Sequence, residues 1–166
     1  TGSSGLASIG VGSQTLNVQG NVYQVANPTG LPTTVNFGNY RVGSTLSQNV
    51  AVANSAIAPA GFQEGLNASA TATGAATVTG AAVTNLAAGS STNFAVGMAS
   101  NAGVQNGQVN FALASNGTGT SGLATLALAG QSVAVQGTGY VAATGTLNAP
   151  TTLNFGTVQV GQSVSQ

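Results

Sequence analysis

The chain has 166 residues, of which 42% are hydrophobic and 1% are charged, with Arg41 the single cation and Glu64 the single anion. Without His or Cys, neither a Ser–His–Asp nor a Cys–His catalytic arrangement can be assembled, and one carboxylate cannot supply the pair that glycosidases use. The same shortage disfavours zinc, calcium and nucleic acid as ligands. We therefore expect no enzyme activity, no catalytic residues, no cofactor and no metal in this chain.

Alternating apolar residues, the pattern of β-strands, recur along the chain between Gly, Asn, Ser or Pro. In chain order, the alternating runs begin at Val35, Val50, Phe94, Val109, Leu126 and Val133. The Ala- and Thr-rich stretch 65–88 also predicts short strands, because Thr alternates along it and Gly74 and Gly80 interrupt it. About seven strands in one unit predict an all-β fold, an immunoglobulin-like β-sandwich.

Turn signals separate the predicted strands. Gly43-Ser44 predicts a turn after the first strand, and Asn116-Gly117 begins a looser turn. Asn106-Gly107, between Val104 and Val109, is typical of a two-residue β-hairpin. We therefore expect the chain to reverse its direction at residues 106–107.

The sequence is internally duplicated. Residues 1–20, TGSSGLASIGVGSQTLNVQG, correspond to residues 118–137, TGTSGLATLALAGQSVAVQG, at an offset of 117. Residues 31–48, LPTTVNFGNYRVGSTLSQ, correspond to residues 149–166, APTTLNFGTVQVGQSVSQ, at an offset of 118. A period of this length indicates tandem domains, because the repeats of a solenoid are much shorter.

The duplication divides the chain into three parts. Residues 1–30 are predicted to be the C-terminal strands of a preceding repeat, and residues 31–148 one complete sandwich. Residues 149–166 are the opening strands of the next repeat, or a strand donated to a neighbouring subunit. The connections are short, so neighbouring repeats should be held semi-rigidly. The residues expected at the junction between repeats are Tyr23, Pro28, Pro32, Tyr140 and Pro150.

Two segments share a motif with a known family. PTTVNFGNYRVGSTLSQNVAVANSA (32–56) and PTTLNFGTVQVGQSVSQ (150–166) each contain an apolar-x-Phe-Gly element followed by a Val-Gly element. They resemble the opening strands of the choice-of-anchor D family of bacterial surface proteins, which is akin to the abnormal-spindle and hydin-type immunoglobulin-like repeats. GTSGLATLALAGQSVAVQGTGY (119–140) resembles the closing part of a longer variant. The resemblance implies an exported, repeated, all-β protein without enzymatic activity of its own.

The residues that carry this signature are Phe37, Gly38, Val42, Gly43, Phe155, Gly156, Val160 and Gly161. Asn54 occupies the position where the family's alternating strand ends in Asn. Phe37 and Phe155 are expected to anchor the core. Gly38 and Gly156 are expected to form a bulge or to take a positive φ after the aromatic residue.

The two charged residues leave two interpretations open. Arg41 and Glu64 could form an ion pair across strands, or both side chains could be solvated. A surface pair would contribute less than about 1 kcal/mol. Gln159 stands in place of Arg41 in the next unit, so not every unit needs such a pair.

The edges of the predicted sheets lack the usual chemical protection, because Lys is absent and Pro occurs only at positions 28, 32, 59 and 150. We therefore expect the chain to associate with copies of itself through strand edges and uncharged faces. A covalent array of repeats or strand exchange between separate subunits could produce this assembly. The covalent array is the preferred interpretation.

These features predict a structural protein outside a bacterial cell, a repeat segment of a surface fibre, filament or matrix stalk. No apolar run is long enough to span a membrane in this segment. The alternative is an adhesin-type module that recognises carbohydrate or another surface. It is weaker because only three Tyr and five Phe could stack on a sugar, and the Thr-rich stretch 71–80 is too short and irregular for an ice-binding face.

Overall fold

A computed structural model of the chain describes residue 5, residues 10–146, residues 156–161 and residue 163. No helix among these residues is long and apolar enough to cross a membrane. The described residues form ten strands: β1 (Pro28–Thr29), β2 (Thr34–Arg41), β3 (Ser47–Asn54), β4 (Gly65–Gly74), β5 (Ala76–Thr79), β6 (Val83–Leu86), β7 (Ser90–Met98), β8 (Gly103–Asn116), β9 (Leu126–Ala127) and β10 (Gln131–Tyr140).

The strands form two sheets. One has four strands in the order β1-β3-β7-β5, and the other has the order β2-β10-β8-β4-β6, with β9 also paired to β8. Neighbouring strands are antiparallel, except that β10 and β2 run parallel. In the larger sheet, the first strand in chain order, β2, therefore lies beside the last, β10.

The core lies between the two sheets and is built from small side chains. Phe94 on β7 and Phe111 on β8 meet edge to face across it, with ring centroids 5.3 Å apart. The valines buried around them are Val35, Val50, Val52, Val96, Val109, Val133 and Val135. Alternate residues of the long strands β3, β8 and β10 face this core. The predicted all-β, immunoglobulin-like β-sandwich is therefore confirmed.

The three strands in the Ala- and Thr-rich stretch 65–88, β4, β5 and β6, confirm that it is not helical. The strand count is ten and not about seven, because this stretch contains three strands and because β1 and β9 have two residues each. Gly43 has a φ of 90° at the predicted turn after β2. After β8, the amide of Thr120 donates to the carbonyl of Gly117 at 3.0 Å, which closes the other predicted turn.

The hairpin predicted at Asn106-Gly107 is wrong, because β8 runs without a turn from Gly103 to Asn116. The chain reverses instead at Gly74, which has a φ of 66° between β4 and β5 and pairs with Gly107. A Cβ at Gly107 would collide with the backbone nitrogen of Ala76 and lie 2.6 Å from the carbonyl oxygen of Thr73. Gly107 therefore provides the space in which the neighbouring strand can turn.

The described sandwich begins before residue 31. Pro28 and Thr29 form β1 and pair with Asn54 and Ala53 of β3, and Ala26 is buried in the core. The boundary predicted at residue 30 therefore lies inside the sandwich, because these residues satisfy backbone groups of β3. The assignment of earlier residues to a preceding repeat and of residues 149–166 to the next one stays a prediction.

The outermost strands of the described sheets are short or interrupted. β1 has two residues, and β5 and β6 have four residues each. The fourth edge strand, β2, has eight residues but is interrupted by a bulge. Short strands and bulges limit pairing with another chain. However, β1 pairs with only two of the eight residues of β3, so the edge of β3 from Ser47 to Val52 is not covered by β1. Association through strand edges therefore stays a prediction.

The bulge in β2 lies at Phe37 and Gly38. Along β10, Gln136 and Thr138 are two positions apart, but their partners on β2, Asn36 and Asn39, are three apart. Gly38 takes up the extra residue with a φ of 63°, and its amide donates to Asn36 Oδ1 at 2.8 Å. Phe37 at the bulge is half-buried, so it packs against the core without being the anchor that was expected.

Candidate functional site

Four polar side chains are buried together in the sandwich. We call this group the polar clamp; it consists of Asn54, Gln63, Glu64 and Ser115. Each is at most 4% exposed, which requires internal hydrogen-bond partners. No buried side-chain nitrogen or oxygen in the described part of the chain lacks a partner. The clamp is therefore fully satisfied.

Asn54 lies at the centre of the clamp and uses both ends of its amide. Its Nδ2 donates to the carbonyl oxygens of Glu64 and Leu86, at 3.0 Å each. Its Oδ1 accepts the backbone amide of Asn27 and Gln63 Nε2, at 2.9 Å each. Three separate parts of the chain, at residues 27, 63–64 and 86, are thus held by one side chain.

Glu64 is held by two hydroxyl groups. Ser115 Oγ donates to Glu64 Oε2 at 2.6 Å, and Ser121 Oγ donates to Oε1. Both interpretations of the charged residues are therefore wrong for Glu64, which is neither solvated nor paired with Arg41; Arg41 itself is exposed. Because the carboxylate of Glu64 is buried, hydroxyl groups of the protein donate the hydrogen bonds that water would otherwise supply.

The clamp fixes residues 24–27, which lie between Tyr23 and Pro28, two of the residues expected at the junction between repeats. The amide of Gln24 donates to the carbonyl of Phe62 at 2.8 Å, and the amide of Glu64 donates to the carbonyl of Gln24 at 2.9 Å. Ser115 Oγ accepts the amide of Ala26 at 2.8 Å. This segment therefore belongs to the sandwich and is not a free connection.

An aromatic contact continues the clamp toward the N-terminus. The rings of Tyr23 and Phe62 stack with centroids 5.5 Å apart and an interplanar angle of 29°. Beside them is an open hollow of about 390 Å³, lined mainly by apolar residues: Val22, Gln24, Ile57, Ala58, Pro59 and Phe62. Tyr23, which was expected at a junction between repeats, thus packs on a loop of this sandwich.

The other predicted residues do not gather at this place. Gly43 donates its amide to Ser100 Oγ at 2.8 Å, and the amide of Val42 donates to the carbonyl of Tyr140 at 3.0 Å. The ring of Tyr140 is exposed. Pro28 forms β1, and Pro32 lies just before β2.

The second copy of the signature is only partly described. Gly156 has a φ of 65°, close to that of Gly38, and Gly161 has a φ of 94°. Val160 is fully exposed. Pro150 and Phe155 lie outside the described residues.

A second hollow, of about 270 Å³, lies beside the bulge on β2 and is lined mainly by amide side chains and glycines: Asn36, Gly38, Asn39, Val104, Asn106, Gln136, Gly137 and Thr138. It contains no charge and no aromatic ring. Within the described ranges, no group of three His, Cys, Asp or Glu residues could hold a metal ion. The hollow could therefore offer a ligand only neutral hydrogen bonds.

Sequence reasoning missed Gln63, Ser115 and Ser121, because a buried Ser or Gln cannot be told from the many exposed ones. The duplication contained one usable signal. Ser121 corresponds to Ser4 at the offset of 117, so the hydroxyl that binds Glu64 recurs in the other copy.

No protein-family model matches this chain, and no curated protein sequence does. Among solved structures, the chain is similar to the ASH/PapD-like domain of human CEP192 (PapD-like domain 7). The identity is 8%, the TM-score is 0.45, and the alignment covers 82% of this chain and 100% of that chain. Nothing about function follows from a likeness at this level.

Proposed function

We propose that this chain is a structural segment of a bacterial extracellular protein, a tandem immunoglobulin-like repeat of a surface fibre, filament or matrix stalk. The observation that carries the proposal is the parallel pairing of β2 with β10. Tension along the chain pulls β2 by its N-terminal end and β10 by its C-terminal end. In parallel neighbours, such tension shears all the hydrogen bonds of the pair together, and none opens ahead of the others.

The polar clamp supports the same role. Tension that arrives from the N-terminal side meets the hydrogen bonds of Gln24, Ala26 and Asn27 before it reaches β2. Tyr23, the residue before Gln24, stacks on Phe62 and so extends this attachment by one residue toward the N-terminus. A protein whose repeats must transmit tension benefits from a fixed entry of this kind.

Composition supports a location outside the cell. One positive and one negative charge in 166 residues leave the surface to be solvated by Ser, Thr, Asn, Gln and Gly. Globular domains usually have about a quarter of their residues charged, and loss of charge removes the repulsion that keeps molecules apart. The Phe-Gly and Val-Gly elements at 37–43 favour the choice-of-anchor D family as the finer assignment.

The partners in this proposal are copies of the same repeat, joined end to end in one polypeptide. The duplication of residues 1–20 and 31–48 at offsets of 117 and 118 favours this covalent continuity over strand exchange. The segment has no catalytic role in the proposal, because its inventory lacks the groups that acid–base chemistry requires.

Electron microscopy of the native material, beside a denaturing gel of the same sample, tests the proposal. We expect filaments that remain a very large polypeptide on the gel. Filaments that dissociate to subunits of 15.8 kDa would replace the covalent array with strand exchange. Compact single particles would contradict the structural role.

The alternative function is carbohydrate adhesion, and the amide-lined hollow beside β2 is the observation that favours it. Amide groups can both donate to and accept from sugar hydroxyls. Binding to a glycan array, removed by Asn36→Ala together with Gln136→Ala, would support the adhesin. Equal binding by the double variant would exclude this hollow as the site.

A further inference from the structure

Residues 14–21 have the sequence of a core strand but lie on the surface. Leu16 and Val18 are 86% and 84% exposed. At the offset of 117 they correspond to Val133 and Val135 of β10, which are 0% and 1% exposed. Apolar residues that alternate in this way have the pattern of a strand face that is buried against a partner, but here the partner is not present among the described residues.

The correspondence includes residues that β10 needs for reasons other than hydrophobicity. Gly137 is close to Tyr40, whose ring carbon would be 3.0 Å from a Cβ at that position, and Gly20 is its counterpart. Gln131 donates from Nε2 to the carbonyl oxygens of Leu31 and Pro32, and Gln14 is its counterpart. Chance alternation of apolar residues would not preserve these two features.

We propose that residues 14–21 form the closing strand of a second sandwich of this same kind. The strand lies between that sandwich's counterparts of β2 and β8, with Leu16 and Val18 in its core. The parallel neighbour would follow the register observed here, in which Val135 pairs with Val35 and Gln136 with Asn36. The inference rests on the proposed tandem-repeat function and identifies the partner of this segment as another copy of the repeat.

The correspondence with β10 is broken at Val22, although Tyr23 matches Tyr140 at the same offset. Val22 stands where β10 has Gly139, and a Cβ at Gly139 would collide with the carbonyl oxygen of Asn101. Val22 instead lines the apolar hollow with Ile57 and Pro59. Since Gln24 is already bonded to this sandwich, Val22 and Tyr23 are the whole spacer between two sandwiches.

The test transplants residues 14–21 into β10 of the full chain. The transplant needs four substitutions: Ser132→Thr, Val133→Leu, Ala134→Asn and Thr138→Asn. We expect this variant to remain folded, with a Tm lowered by no more than about 10 °C, because alternation, Gly137 and Gln131 are all kept. Circular dichroism and thermal denaturation provide the readout.

The matched control has the same composition with Leu and Asn exchanged, Val133→Asn and Ala134→Leu, beside the same changes at 132 and 138. It should be unfolded at 25 °C, because reversed alternation puts Asn in the core. An unfolded transplant would overturn the inference, and so would a control as stable as the transplant. Neither result depends on whether filaments exist, so a failure here is distinguishable from a failure of the proposed function.

A second measurement uses hydrogen exchange. In the 166-residue chain, the amides of residues 14–21 should exchange rapidly, because these residues are exposed. In the native material, the same amides should be protected as strongly as those of β10. Rapid exchange in both samples would also overturn the inference.

Discussion

Asn54 shows how one polar side chain can determine where a domain begins. An amide both donates and accepts, which Asn54 needs because it faces the carbonyls of Glu64 and Leu86 on one side and two donors on the other. A carboxylate could only accept, and an apolar residue could do neither. The identity of this residue is therefore tied to the entry of segment 24–27 into the sandwich.

We predict that Asn54→Ala lowers the free energy of unfolding by about 4 kcal/mol, because several buried groups lose their partners. Urea denaturation measures the change. Asn49→Ala, on the exposed face of the same strand, is the matched control and should change stability by less than about 0.5 kcal/mol. Asn54→Asp keeps the volume and removes both donors, so a stable Asp variant would contradict the hydrogen-bond explanation.

The buried residues of the clamp also mark the limit of sequence reasoning at this scale. Asn54 was noticed as the last residue of an alternating strand, but Gln63 and Ser115 carry no local sign of burial. The burial of Glu64 follows from hydroxyls more than fifty positions later in the sequence, which no local pattern could indicate.

At the scale of elements, the parallel pairing of β2 and β10 is the feature on which the proposed response to tension depends. Residues 34–36 and 39–41 of β2 run parallel to residues 134–136 and 138–140 of β10. The amide of Val42 extends the contact to the carbonyl of Tyr140 at 3.0 Å. Tension applied in opposite directions to the two ends of the sandwich therefore acts on this one set of hydrogen bonds between β2 and β10.

We predict that the sandwich resists force better in shear than when β10 is peeled from β2. The chain has no Cys, so introduced cysteines are unique handles for single-molecule pulling. Handles at Thr33 and Val141 load the ladder in shear, whereas handles at Thr33 and the exposed Ala129 pull both strands apart from one end. The unfolding force should be higher for the first pair, and equal forces would contradict a mechanical role for this pairing.

Strands were predictable from the sequence to the extent that alternation determines them. The stretch 65–88 was correctly assigned to strands because Thr alternation and two glycines outweigh the helix propensity of Ala. Asn106-Gly107 failed because Gly107 serves a packing need and not a turn. The parallel partnership of β2 and β10 could not be predicted, because about a hundred residues separate them and local pattern contains no register between distant strands.

At the scale of the whole molecule, the lack of charge is the main physical property. The side chains able to titrate are Arg41, Glu64 and three Tyr, and the structure records no ion pair between Arg41 and Glu64. Stability depends on pH only where the folded and unfolded states bind different numbers of protons. A chain with so few titratable groups has few ways to couple folding to pH.

We predict that the thermal unfolding midpoint is nearly constant from about pH 5 to pH 9. Calorimetry at several pH values within that range measures it. Parallel scans at low and high salt should also coincide, since screening has almost no charge to act on. A midpoint that moves by many degrees within the range would contradict this interpretation of the composition.

The proposed two-residue spacer has a geometric consequence for any array of these sandwiches. If every junction holds its neighbours as tightly as Gln24 is held here, each sandwich is rotated from the previous one by the same angle. A constant rotation repeated along an open chain generates a helix. The pitch and handedness of such a fibre would then be encoded in residues 22–27, and a single substitution there would change the winding of the entire filament.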